Sequence, residues 1–135
     1  MTTAVDSSVL LAIFRGESNA DQLLRQLEKF LEIGRLIICD VIVAEVGAFF
    51  ESPQDLLSKL KPLEIHYSPI EFKAAHYAGR IYREYRQKGG VRATMVPDFL
   101  IASHAMIQAN QLWAMDRGYY RSYFKPLKIV PFQLL

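Results

Sequence analysis

Four acidic residues in this sequence occupy positions from which they could act on one chemical step. They are Asp6 after "TAV", Glu45 in "VIVAEVGAFF", Asp98 in "PDFLIASHA" and Asp116 at the end of "LWAMD". If these carboxylates converge they repel one another, and two of them about 4 Å apart cost on the order of 4 kcal/mol at an effective dielectric of 20. Such a cluster must take up protons or bind a cation.

The donor atoms of this set indicate which cation would be bound. Carboxylate oxygens without neighbouring Cys or His favour Mg²⁺ or Mn²⁺ over zinc. An all-carboxylate site of this kind suits phosphoryl transfer or phosphodiester hydrolysis, because the metal polarises the phosphate and activates water. The acids therefore predict metal-dependent phosphate chemistry, provided that the fold brings them together.

Most of these acids also have a purely structural interpretation. Asp6 could cap the helix that follows it, which is worth about 1 kcal/mol, and Asp98 could interact with the dipole at a helix start. Asp116 could be a turn residue. Glu45 lacks such an alternative, because its sequence neighbours are apolar. Asp40, which also follows a predicted strand, is assigned to helix capping alone.

The elements that must position the acids alternate between strands and helices. Strands are predicted at "TAV", "RLIIC", "LEIHY", "LWAM" and "LKIV". Helices are predicted from Ser7 to Arg15, in "NADQLLRQLEKFLEI" up to Gly34, after Asp40, from Pro53 to Leu60, from Ser68 to about Lys88, and in "PDFLIASHAMIQAN". This alternation predicts parallel strands with helices on both faces. Ligands bind such sheets beyond the carboxyl ends of the strands, where the four acids are expected.

Composition sets the class of protein. The 135 residues are 51% hydrophobic and 22% charged, which predicts one globular domain over residues 1–135. The formal net charge of +2 means that an anionic partner must be held by a local patch. The single cysteine, Cys39, excludes an internal disulfide and fits a reducing compartment. Because no signal peptide or membrane span is recognisable, a soluble cytoplasmic protein is expected.

The long predicted helix carries two features that concern partners. The most basic segment of the chain runs from Arg80 on this helix to Arg92 just beyond it, and it leads towards Asp98. It is either a solvated surface or a phosphate-binding surface, with Arg86 and Arg92 as the candidate contacts. An apolar stripe on the same helix suggests either core packing or a subunit interface, and it consists of Phe72, Ala75, Gly79, Tyr82 and Tyr85.

The four acidic motifs in this order and spacing resemble the PIN-domain family, in particular the small VapC-type toxin ribonucleases of bacterial toxin–antitoxin modules. The resemblance covers essentially the whole chain. It implies a three-layer α/β/α sandwich with a mainly parallel sheet of four to five strands, and an RNA-cleaving site that uses Mg²⁺ or Mn²⁺. Asp6, Glu45, Asp98 and Asp116 would be its acidic residues, and Ser8 matches a small hydroxyl residue of the family. The implied partners are RNA, a cognate antitoxin protein and a second copy of the chain.

Two departures from the family pattern lie beside Asp116. Ala114 replaces a common Ser or Thr, and Tyr119 stands where a further acid is often found. Both departures favour one metal ion over two, and they support an alternative in which the chain is a weak or inactive PIN-like module that binds RNA or a protein. A phosphatase acting on small phosphoesters is a second alternative, although no Gly-rich phosphate loop is present.

Overall fold

The computed structural model describes residues 1–90, 96–115 and 122–131. Within these ranges five strands pair in parallel as one sheet, in the order β3-β2-β1-β4-β5. The strands are β1 (Thr2–Val5), β2 (Arg35–Ile38), β3 (Ile65–Tyr67), β4 (Gln111–Trp113) and β5 (Ile129–Val130). All five predicted strands are present, and the predicted parallel pairing is confirmed.

Six helices in the described ranges complete a three-layer α/β/α arrangement, as predicted. They are α1 (Ser7–Phe14), α2 (Ala20–Ile33), α3 (Asp40–Gly47), α4 (Pro53–Leu60), α5 (Phe72–Gln87) and α6 (Val96–Gln108), with a 3₁₀ turn over Lys61–Leu63. None of these helices has the length and apolar composition needed to cross a membrane.

The strand order gives β1 a special position. The chain moves from β1 outward to β2 and β3, and then returns to form β4 on the other side of β1. Val5 pairs with Trp113, and the Asp6 N–H donates to the Trp113 carbonyl over 2.9 Å. The reversal of strand order therefore falls beside Asp6, where sheets of this kind bind their ligands.

An apolar core lies between the sheet and the helices. The β2 residues Leu36, Ile37 and Ile38 are buried, as expected for a strand covered on both faces. On β4, Trp113 is fully buried and its ring lies 5.0 Å from that of Phe30 on α2. These contacts fix the central strands, and with them the carboxyl edge of the sheet.

Gly34 ends α2 as predicted, and the tertiary structure shows a second reason for glycine at this position. A Cβ built on Gly34 would lie 1.6 Å from the carbonyl oxygen of Met1. The same carbonyl accepts a hydrogen bond of 3.0 Å from the Arg35 N–H, where β2 begins to pair with β1. The close approach of the two backbones therefore requires a residue without a side chain.

Two predictions about helix starts are wrong. Asp40 is the first residue of α3 and not its cap; its Oδ1 accepts instead from the Ile70 N–H over 3.0 Å. The long helix α5 begins at Phe72, four residues after the predicted start at Ser68. The Glu71 N–H donates to the Gln108 side chain over 2.9 Å. Both tertiary bonds hold the chain before α5 in a non-helical path.

The predicted stripe on α5 is only partly the buried face. Phe72, Ala75 and Gly79 are exposed, and Phe72 has 90% of its surface accessible. Tyr82 and Tyr85 are half-buried. The buried residues of α5 are Ala74, Ala78 and Ile81, each one position before a residue of the predicted stripe. The start of the stripe is therefore a surface, and its end packs against the core.

Two further titratable groups, Cys39 directly after β2 and His104 on α6, are buried in the packed structure. Burial raises the pKa of the Cys39 thiol, which is 1% exposed. Burial lowers the pKa of His104, whose Nε2 lies 3.2 Å from Ser68 Oγ. Both groups are therefore uncharged parts of the packed structure near neutral pH.

Candidate active site at the carboxyl edge of the sheet

Asp6 lies at the point where β1 ends and α1 begins. Its side chain is fully buried and caps α1, because Oδ2 accepts from the Ser8 N–H over 3.3 Å and from the Ser8 hydroxyl. The predicted capping role is therefore present. A capping carboxylate can make its hydrogen bonds while it is exposed to water, and burying a carboxylate is energetically costly. Capping alone therefore does not explain why Asp6 is completely buried.

Glu45 extends from α3 towards the same turn. Its carboxylate is half-buried, and Oε1 accepts a hydrogen bond of 3.0 Å from the hydroxyl of Ser7. Ser7 follows Asp6 directly and is 3% exposed. The structure thus brings Glu45 next to the end of β1, although Glu45 and Ser7 are 38 residues apart in the chain.

Asp98 lies in the first turn of α6 and is half-buried. The start of this helix is beside α3, because Val96 and Pro97 line a shallow groove together with Val41 and Ala44. The helix that carries Glu45 and the first turn that carries Asp98 are therefore neighbours on one side of the molecule.

Asp116 lies outside the described residues, as does Tyr119. The chain that leads to Asp116 is described, and it is tied to the end of β1. The Met115 N–H donates to Ser8 Oγ over 3.2 Å, and Ala114 is fully buried with its N–H donating to Val130 over 3.2 Å. Ser8 therefore connects Asp6 to the residue that precedes Asp116.

Ser7 is not among the site residues predicted from the sequence. The signal was present as two consecutive serines after Asp6, but only Ser8 was assigned a role. Successive residues of a helix are turned by about 100°, so two adjacent hydroxyls reach different neighbours. Ser8 bonds Asp6, and Ser7 bonds Glu45.

The donors at this edge fit a hard divalent cation in type. In residues 1–90, 96–115 and 122–131, no three side chains of Asp, Glu, His or Cys are grouped closely enough to hold a metal ion. Asp116 is not among these residues, so the predicted set of four is incomplete within those ranges. The groups around Asp6 are carboxylate and hydroxyl oxygens, which suit Mg²⁺ or Mn²⁺ and not zinc.

The basic segment lies at the end of α5, which packs along α6. Arg86 is exposed in the last turn of α5, and Arg92 lies outside the described residues. The Lys88 ammonium is 6.0 Å from the centre of the Tyr123 ring, which is half-buried. The described part of this segment therefore presents positive charge to solvent beside an aromatic cluster of Tyr85, Phe99, Tyr123 and Phe124.

Comparison with known proteins gives a family and several similar folds. The model of the PIN domain family matches residues 3–125. A chain of VapBC2 from Rickettsia felis, in a structure bound to a DNA fragment from their promoter, superposes with a TM-score of 0.77 at 20% identity, covering 98% of this chain and 100% of that chain. VapBC-1 from nontypeable Haemophilus influenzae gives 0.73 at 16% identity, covering 98% of each chain.

A toxin–antitoxin complex from Klebsiella pneumoniae gives a TM-score of 0.65 at 17% identity, covering 98% of this chain and 99% of that chain. These identities show a shared fold. No curated protein sequence matches the chain.

Proposed function

Because the chain belongs to the PIN domain family, we propose that it is an endoribonuclease that hydrolyses RNA phosphodiester bonds with a bound Mg²⁺ or Mn²⁺ ion. The observation that carries the proposal is the position of Asp6. Its buried carboxylate lies at the reversal of strand order, and Glu45 reaches the same turn through Ser7. A purely structural cap would need neither the burial nor the second acid.

The proposed roles follow the positions of the four acids. Asp6, Asp98 and Asp116 would hold the ion, and Glu45 would contact it directly or through water. The ion, when bound, would neutralise charge on the scissile phosphate and lower the pKa of a water molecule. The protein would supply the fixed geometry, since Asp6 is held by the Ser8 N–H and Oγ.

Ser8 is also proposed to contact the substrate, and its hydrogen bonds limit how. Its hydroxyl proton is used on Asp6, and its oxygen accepts from the Met115 N–H. A hydroxyl oxygen has two lone pairs, so one remains to accept a hydrogen bond. Ser8 could therefore accept from a ribose hydroxyl, whereas a phosphate oxygen would need a donor from elsewhere.

The direct test is cleavage of a panel of structured and single-stranded RNAs with Mg²⁺, with Mn²⁺ and with EDTA. A generic aryl phosphate monoester serves as the comparison substrate. Cleavage of RNA that requires the metal, without hydrolysis of the monoester, supports the ribonuclease. Hydrolysis of the monoester alone would favour a phosphatase. Metal-independent binding of RNA without cleavage of any RNA would favour a non-catalytic module.

The non-catalytic module is the alternative that a structural observation favours. Ala114 is fully buried beside the end of β4 and carries no hydroxyl, at a position where the family commonly has Ser or Thr. The missing hydroxyl affects only the side of the site near Asp116, and Asp6 and Glu45 stay in place. We therefore propose an enzyme that uses one metal ion.

Phosphate contacts at the end of α5 are the source of RNA affinity in this proposal. With a net charge of +2, binding must depend on local cations, and Arg86 is exposed on the helix that packs along α6. Arg86→Ala is expected to weaken binding of an uncleavable RNA analogue and to reduce the slope of log K against log salt by about 0.7. Arg92→Ala should act in the same way.

Binding titrations at several salt concentrations measure both quantities. Arg25→Ala is the matched control, because it removes an exposed arginine from α2 and should leave affinity and slope unchanged. Mn²⁺ affinity should stay the same in all three variants. Equal affinities and slopes for Arg86→Ala and the parent chain would show that Arg86 does not contact RNA phosphates and is only a solvated surface residue.

Self-association is proposed through the exposed start of the α5 stripe. Phe72 is 90% exposed, and the adjacent positions Ala75 and Gly79 are exposed and small. Small residues allow a second helix to approach closely around a large aromatic side chain. We expect Phe72→Glu to convert a dimer to a monomer in light scattering at micromolar concentration, whereas Phe49→Glu leaves the dimer intact. A parent chain that is monomeric at these concentrations would rule out this interface.

An antitoxin protein is the second proposed partner, and a groove of about 370 Å³ at the far ends of α1 and α3 suits it. Its floor includes Phe14 and Phe50, whose rings are 5.7 Å apart, and Arg15 lies 4.7 Å from the exposed Phe49 ring. Lys59 lines the same groove. Aromatic and cationic side chains together fit an apolar segment that carries acidic residues.

Co-expression with the product of an adjacent gene that encodes a small DNA-binding protein tests this partner. Phe49→Glu is expected to abolish co-purification, because it introduces a like charge against an acidic segment. Leu57→Glu is the control, since Leu57 is 57% exposed against 58% for Phe49 and does not line the groove. Equal loss with both variants would mean that the groove is not the binding surface.

A cytoplasmic location is also proposed, because an RNA substrate and a reduced Cys39 both fit that compartment.

A further inference from the structure

The hydroxyl of Ser7 is buried and makes one long-range contact. Ser7 is 3% exposed, and its Oγ donates to Glu45 Oε1 over 3.0 Å. A serine in the first turn of a helix ordinarily bonds nearby backbone groups, or water when it is exposed. Here it bonds a carboxylate 38 residues away, on another helix.

The position of Ser7 is set by a rigid turn. The Asp6 carbonyl accepts from the Val9 N–H over 3.2 Å, and the Asp6 N–H is bonded to Trp113 on β4. Glu45 has three rotatable side-chain bonds, and its helix does not by itself determine where the carboxylate points. The hydrogen bond from Ser7 therefore ties the Glu45 carboxylate to the end of β1.

We propose that Ser7 is a positioning residue, which holds the Glu45 carboxylate in the orientation that the bound divalent ion requires. This inference rests on the proposed metal site and deepens it. The two adjacent serines have separate roles, since Ser8 orients Asp6 and Ser7 orients Glu45. Hydrogen-bond donors behind the ligands of metal sites fix the orientation of those ligands, and their loss typically costs 10- to 100-fold in affinity or activity.

Removal of the hydroxyl gives the first test. Ser7→Ala is expected to raise the Kd for Mn²⁺, measured by titration calorimetry on the metal-free chain, about tenfold. It should lower kcat for RNA cleavage while KM for RNA stays unchanged, because RNA affinity depends on other residues. Ser7→Thr keeps the hydroxyl and should retain the parental Kd for Mn²⁺.

A matched control separates positioning from packing. Ser103 is also buried, and its hydroxyl donates to the Ala74 carbonyl in the contact between α6 and α5. Ser103→Ala should lower the melting temperature of the metal-free chain without changing the Kd for Mn²⁺. A rise in Kd for Ser103→Ala equal to that for Ser7→Ala would show that any lost buried hydrogen bond weakens the site, and would overturn the specific role of Ser7.

The Ser7→Thr variant adds a methyl group at a buried position and could disturb the packing there. A double-mutant cycle therefore provides a test that does not depend on threonine. If Ser7 acts only through Glu45, then Ser7→Ala should add no further loss of Mn²⁺ affinity to Glu45→Ala. Additive losses would overturn the inference, as would an unchanged Kd for Ser7→Ala alone.

The result also separates this inference from the proposed function. A chain that binds Mn²⁺ with the expected dependence on Ser7, but cleaves no RNA, would overturn the ribonuclease and retain the positioning role. A chain that binds no Mn²⁺ would overturn both.

Discussion

Asp98→Asn is expected to reduce RNA cleavage by at least about 100-fold, the range seen when one electrostatic group is removed from an active site. It should also weaken Mn²⁺ binding, while the melting temperature of the metal-free chain stays the same or rises. The reason is that Asp98 lies in the first turn of α6, beside the helix that carries Glu45. Without a cation, replacing a carboxylate of the proposed metal site by a neutral amide would remove repulsion from the other proposed ligands.

Asp98 is the better choice for this experiment than Asp6. Asp6 is fully buried and accepts two hydrogen bonds from Ser8, so its replacement would change stability and metal binding together. Asp98 is half-buried, and asparagine can still interact with the helix start. Thermal melts with and without Mn²⁺, together with cleavage rates, measure the two effects separately.

Asp55→Asn is the matched control, since Asp55 is an exposed acid in the first turn of α4. It should lose only the favourable interaction with the helix dipole, about 0.3–1 kcal/mol, and cleavage should be unchanged. RNA binding by Asp98→Asn should be retained or increased, because negative charge has been removed. A clear loss of stability in the metal-free Asp98→Asn chain, with Mn²⁺ affinity intact, would show that Asp98 stabilises the start of α6 and does not bind the metal.

Phe99→Ala is expected to destabilise the chain by about 3–5 kcal/mol, the usual cost of emptying a buried phenylalanine site. Phe99 is fully buried next to Asp98, and its ring lies 5.5 Å from that of Tyr85 and 5.8 Å from that of Phe124. These rings cannot fill the space without losing their own contacts. Since a domain of this kind is stable by about 5–15 kcal/mol, the loss is a large fraction of the total.

Denaturant unfolding of the metal-free chain measures this loss. Phe72→Ala is the control, because Phe72 is the same residue type with 90% exposure, and its change in unfolding free energy should be within about 0.5 kcal/mol. The comparison is made at a protein concentration at which the chain is monomeric. A loss below about 1 kcal/mol for Phe99→Ala would mean that the aromatic cluster beneath Asp98 is loosely packed.

Much of the fold follows from local patterns in the sequence. The apolar runs around Leu36 and Leu112 predict buried strands, and their alternation with helices predicts the parallel sheet that the structure contains. Pro53 and Gly34 mark helix ends because their backbone preferences act within a few residues. The same reasoning places Asp6 at the carboxyl edge of the sheet, where a carboxylate can cap the next helix or take part in a site.

Tertiary contacts decided the features that these patterns could not. Asp40 follows a strand and suits a cap, yet its carboxylate bonds Ile70 on a distant segment and delays the start of α5. The repeat on α5 allowed more than one buried face, and the fold buries Ala74 and Ala78 while it leaves Phe72 exposed. Periodicity shows that a helix has an apolar side, but the neighbouring helix determines which residues that side contains.

The same distinction between local patterns and tertiary contacts applies to the candidate site. Local patterns predict that Asp6, Glu45, Asp98 and Asp116 lie near strand ends and helix starts, because the period of each element is a local property. The packing of the folded chain brings Ser7 to Glu45, and it lets Ser8 join Asp6 to Met115, 107 residues away from Ser8. The sequence does not indicate which residue a serine hydroxyl will bond. A hydrogen bond of about 3 Å depends on how whole helices and strands pack, and not on spacing along the chain.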